Sequence, residues 1–64
     1  MAKLINVTEN GSNRKVSIML DKILTVEPLT YNSGETVTVI TYINNTQIHV
    51  IEAYTLVQTL INKA

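Results

Sequence analysis

The residue best suited to acid–base or metal chemistry is His49, and the chain has no other histidine. It stands in the run Gln47-Ile48-His49-Val50-Ile51-Glu52, with Glu27, Glu35 and Glu52 as the carboxylates that could approach it. A transition-metal site takes three or four His, Cys or carboxylate ligands. One imidazole and no cysteine fall well short of that set. Hydroxyl nucleophiles are available at Ser12, Ser17 and Ser33, yet none lies in a nucleophile-elbow context. The lone histidine would have to be their base, in a deep pocket that so small a core does not form. Gly11 and Gly34 are the only glycines, in neither a P-loop nor a dinucleotide-binding spacing. The expectation is a protein that is not an enzyme and holds no cofactor and no metal.

Binding chemistry is better supplied. Arg14, Lys15 and Lys22 belong to neighbouring elements, Lys3 can join them across a sheet, and Tyr42 offers a ring on which a base could stack. Against nucleic acid stands the total: five basic residues balance five acidic ones, so no net field steers a polyanion toward the chain. Mixed-sign charges of this kind usually form a solvated surface. Gly11, beside Arg14 and Lys15, could place backbone N–H groups against an anion, and Tyr31 could stack on a ligand. The plainer expectations are a hairpin connection and an aromatic packed back over its own sheet. Nucleic acid is the alternative partner, and a protein partner is favoured.

Stability sets the next constraint. A 64-residue chain is one domain, spanning 1–64, and a domain near this size buries only roughly 60% of its unfolded surface. Without cysteine there is neither a disulfide nor a thiolate zinc site to reinforce it. Packing of Ile, Leu and Val must do the work, since Phe and Trp are absent and the aromatics are Tyr31, Tyr42 and Tyr54. The run Thr36 to Gln47 is too short and polar to span a membrane. Met1 to Asn6 lacks the apolar stretch of a secretory signal. A cytoplasmic protein without membrane insertion is expected.

The pattern of the chain predicts the elements that position these groups. Lys3 to Thr8 reads as a strand, Glu9 to Asn13 as a loose polar loop, and Arg14 to Leu20 as a second strand with Val16, Ile18 and Leu20 on one face. Asp21-Lys22 marks a turn or bulge before Ile23 to Glu27. Pro28 should close that strand at a sheet edge or bend it there. Leu29 to Glu35 is a second loop. Thr36 to Ile43 and Thr46 to Glu52 form a hairpin about a two-residue Asn44-Asn45 turn, whose residues tolerate positive φ. Ala53, Leu56, Val57, Leu60, Ile61 and Ala64 make an apolar stripe on a helix over about 53–63, with no side chain suited to cap its start. Glu52 near its start and Lys63 near its end suit the helix dipole. The fold class is α+β: a small twisted antiparallel sheet of four or five strands, able to curl into a half-barrel, with the helix across one face.

One helix cannot cover both faces of such a sheet. If Val37, Val39, Ile48 and Val50 face it, then Ile40, Tyr42 and Ile51 point away, joined by Leu24 or Ile23 according to register. A contiguous apolar patch on a small protein marks association. A homo-oligomer built through Ile40, Tyr42, Ile51 and Leu24 is the expectation.

Val26-Glu27-Pro28, the loop ending at Gly34, the strand-turn-strand from Val37 to Val50, and Val50-Ile51-Glu52-Ala53 leading into Val57 and Ile61 resemble the small FlbD/SwrD-type flagellar and swarming-motility proteins. About two thirds of the chain is covered. Asn45 stands where those proteins carry a turn glycine, and Ala53 where they carry a capping serine. The resemblance implies the same hairpin-and-helix fold and a non-catalytic, motility-related accessory role, with no catalytic residues to transfer. A phage or mobile-element accessory protein, either a particle component or an inhibitor of a host complex, is the other setting in which such chains occur.

Overall fold

A computed structural model describes residues 3–64, so that part of the leader reading falls on Met1 and Ala2, outside the described residues. Five strands and one helix follow in order: β1 (Leu4–Thr8), β2 (Lys15–Met19), β3 (Ile23–Thr30), β4 (Thr36–Tyr42), β5 (Gln47–Val50) and α1 (Tyr54–Lys63), with a 3₁₀ turn at Leu20–Lys22 between β2 and β3. All pairings are antiparallel, β1 with β2 in one sheet and β3-β4-β5 in the other. The architecture is α+β, as the pattern predicts.

Backbone bonds link the two sheets where β1 runs out beside β5. Asn10 N–H donates to the His49 carbonyl at 2.7 Å, Ile51 N–H donates to the Thr8 carbonyl at 3.0 Å, and Glu9 bridges Val50. The strands thus follow the order β2-β1-β5-β4-β3, leaving β2 and β3 as the two outer edges. Both sheets turn an apolar face to one core, in which Ile5, Val7, Ile18, Ile40, Val50 and Val57 are buried together. Val57 is the helix residue fully out of water. Its burial alone is worth about 1.5–3 kcal/mol.

The β4–β5 turn differs from expectation by one residue, with large consequences. Tyr42 N–H donates to the Thr46 carbonyl at 2.8 Å and Asn45 N–H to the Tyr42 carbonyl at 2.9 Å, so the loop is Ile43-Asn44-Asn45. Of the two asparagines only Asn45 has positive φ, at 70°. This is a three-residue loop, a turn closed by one left-handed residue. The β3–β4 loop, Asn32-Ser33-Gly34, is built alike, with Gly34 at φ 93° and Tyr31 N–H bonded to the Glu35 carbonyl. The observed register pairs Ile40 with Ile48 and Thr38 with Val50. A two-residue loop would have placed Val39 opposite Val50. Because side chains alternate faces, that single residue turns β4 over relative to β5, whose Ile48 and Val50 stay on the expected face. The core face therefore carries Ile40, Ile48 and Val50, and the helix lies on that side.

Pro28 does not end β3, which continues through it to Thr30 and pairs Pro28 with Thr38. The Tyr31–Glu35 bond sets the alternation: Leu29, Glu27 and Thr25 are bonded to β4, whereas Val26, Pro28 and Thr30 turn their backbone groups outward. Proline costs no ladder bond at an outward position. The expected sheet-edge location is the one observed.

The helix starts at Tyr54, later than Glu52 or Ala53, and its N-cap Ala53 makes no side-chain bond. Glu52 fixes the junction instead. Its Oε1 accepts the Thr8 N–H at 2.8 Å, and its carbonyl accepts the Thr38 hydroxyl at 2.6 Å. Leu60, Ile61 and Ala64 pack against the core, while Ala53 and Leu56 of the predicted stripe are exposed.

Candidate interaction edge

The β1–β2 hairpin alternates in the same way as β3–β4. Glu9 N–H donates to the Arg14 carbonyl at 2.8 Å and Leu20 N–H to the Lys3 carbonyl at 2.9 Å, with Ile5 opposite Ile18 and Val7 opposite Val16 between them. Val16, Ile18 and Leu20 therefore spend their backbone groups on β1. Lys15, Ser17 and Met19 turn theirs outward. Among the described residues no other strand pairs with this edge. The 3₁₀ turn that follows is the reason: it carries the chain across to the second sheet, so that β3 does not return alongside β2.

Beside the open edge lies a groove of about 470 Å³, lined by Ser17, Ile18, Met19, Lys22, Tyr42, Ile43 and Asn44. Its far wall is the β4–β5 turn, held in place by the Ile43 N–H donating to the Lys22 carbonyl at 2.9 Å. Met19 and Ile43 are exposed on its two sides, and Leu4 stands opposite Met19 on the outer face of the hairpin. Tyr42 is half-buried, and burial, with the charge of Glu9 second, pushes its phenol above the ordinary value. It presents a neutral hydroxyl at physiological pH.

The two edges are not equivalent. Outward-turned Pro28 breaks the row of donors on β3, and Gln58, Ile61 and Asn62 of the helix flank Val26 on the same strand. Proline on an edge is a standard guard against unwanted pairing. β2 has no proline, and Lys15 is the one charged residue among its outward positions.

The association patch expected from sequence comes apart. Ile40 is 0% exposed and cannot present a surface, because the three-residue turn puts it on the core face. Tyr42 also packs against the core. Leu24, at the irregularity in β3, is 57% exposed, and Ile51 is 46% exposed. They sit at opposite ends of the β3-β4-β5 sheet, about 14 Å apart along the strands, and make no common patch. The basic residues divide similarly. Lys3 and Lys22 mark one end of the β1–β2 hairpin and Arg14 and Lys15 the other. Arg14 lies 3.7 Å from Glu9, and Lys15 Nζ donates to the Thr8 hydroxyl.

His49 lies on the face away from the core, opposite Val39. Its Nδ1 shares a hydrogen bond with the Tyr31 hydroxyl, their rings 5.8 Å apart, and Asn10 Nδ2 donates to the same hydroxyl at 3.5 Å. To reach His49 on β5 from the β3–β4 loop, Tyr31 crosses β4 on the face that carries Val37 and Val39, both buried. The aromatic does pack back over its sheet. Among the described residues no group of three or more His, Cys, Asp or Glu is placed to hold a metal ion.

The chain matches no family model, no curated protein and no solved structure. What it does must be read from its own surface. Sequence reasoning passed over Ser17, Met19 and Ile43. A signal existed in Asp21-Lys22, which lacks the Gly or Asn of a hairpin turn and so leaves β2 without a second neighbour.

Proposed function

We propose that this chain is a non-catalytic interaction and assembly module that accepts an extended polypeptide segment along β2. The supporting observation is the row of outward backbone groups on Lys15, Ser17 and Met19 beside the groove between Met19 and Ile43. Strand addition gains affinity from main-chain hydrogen bonds, and flanking pockets choose among side chains. Met19 and Ile43 supply apolar grip on either side of the added strand. A motility-related assembly is the setting suggested by the FlbD/SwrD-type resemblance of the hairpin and helix.

Selection from a random peptide library tests this reading. Bound peptides are expected to shift the amide resonances of Ser17 and Met19 and those of Ile43. Ser17→Pro removes an outward N–H that β1 does not use, and should weaken such peptides about tenfold or more. Peptides that bind another surface, or a library that yields no binder, would count against it.

A further inference from the structure

The strand that best fits this edge is the edge itself, and we infer that β2 of a second copy of this chain adds antiparallel to it about a two-fold axis through Ser17. The inference rests on the proposed edge reading and names its occupant. Outward groups fall at Lys15, Ser17 and Met19, symmetrically about Ser17. A two-fold axis there sets Ser17 against Ser17 of the second copy and Lys15 against its Met19. Each pair then exchanges both N–H···O bonds of an antiparallel ladder. No other two-fold register uses all the outward groups of this strand.

Charge agrees with that register. Lysine meets methionine in each pair, so no like charges are opposed, and the Met19 side chain can lie along the lysine methylenes. The end of one strand that carries Asp21 beside Lys22 and Lys3 comes alongside the Arg14–Lys15 end of the other, where Arg14 is paired with Glu9, so both ends are of mixed sign. Zero net charge leaves no overall repulsion between copies. On the inner side Val16, half-buried at the edge of the core, comes opposite Ile18 of the second copy and extends the apolar row.

Pro28 explains why the assembly stops at two. Pairing β2 of one copy to β3 of the next would be head-to-tail and could grow without limit. Pro28 takes the middle donor out of the outward row on β3, which disfavours that pairing and leaves the β2 edges to meet each other, in a closed pair.

Sedimentation of the full chain should find a dimer at micromolar to millimolar concentration. In a mixture of isotope-labelled and unlabelled chains, a filtered NOE should connect Val16 Hα with Ile18 Hα of the other copy, a non-hydrogen-bonded pair in this register. Met19→Lys opposes lysine to lysine twice and should weaken the dimer roughly 2- to 30-fold, and adding Lys15→Glu should restore it. These exposed side chains carry little of the fold, and circular dichroism checks each variant. A monomer at millimolar concentration, a dimer without that NOE, or a double variant that fails to recover would each overturn the inference. A monomer whose Ser17 and Met19 still bind library peptides would lose the second copy and keep the edge reading. Loss of peptide binding as well would remove both.

Discussion

Ile40→Ala is expected to lower the unfolding free energy by about 2–5 kcal/mol, a large share of what a domain of this size has. Ile40 is fully buried between Val26 on β3 and Ile48 on β5, in the cluster with Val50 and Val57. Truncation removes its transfer energy and leaves a cavity that two strands and a helix cannot close. Ile43→Ala is the control, since Ile43 is 56% exposed in the turn and its loss should stay within about 0.5 kcal/mol. Urea midpoints of the two variants make the comparison. Equal midpoints would mean that Ile40 faces solvent, and β4 would have to be turned over relative to β5.

The second large effect is expected at Glu52, where one residue ties three segments together. Its side chain accepts the N–H of Thr8, a residue 5% exposed, and its carbonyl accepts the hydroxyl of Thr38, 0% exposed. Glu52→Ala strands the Thr8 N–H near the core and should cost about 1–3 kcal/mol. Glu52→Gln keeps an acceptor at the same reach and should recover most of that loss. Denaturation of the pair reads the difference. If alanine and glutamine behave alike, the bond does not hold the strand–helix junction.

Strand and helix positions were legible because the alternation of Val16, Ile18 and Leu20 and the Val57–Leu60–Ile61 stripe follow the periods of their elements. The face that β4 turns to the core was not. That depended on whether Asn44-Asn45 closes the hairpin alone or together with Ile43, and Asn at the left-handed position serves either turn. One residue of loop length turned β4 over relative to β5, so Ile40 moved from the expected surface to the core while Val37 and Val39 came to be buried on the opposite face. Pro28 was legible as an edge marker but not as a residue the strand could run through, because that depends on which way its missing N–H points. The β2 edge was legible only in part: Asp21-Lys22 shows that β3 does not return beside β2, and the bridge from Glu9 to Val50 shows which strands are left outermost.

Residue-by-residue amide hydrogen exchange reads the outward edge of β2 without any variant. In dilute solution Val16 and Ile18 should exchange slowly while Ser17 and Met19, between and beside them in the same strand, exchange fast. On raising the concentration or adding a selected peptide, Ser17 and Met19 should slow toward their neighbours. Slow exchange at Ser17 and Met19 already in dilute solution, or fast exchange that no bound strand changes, would contradict it.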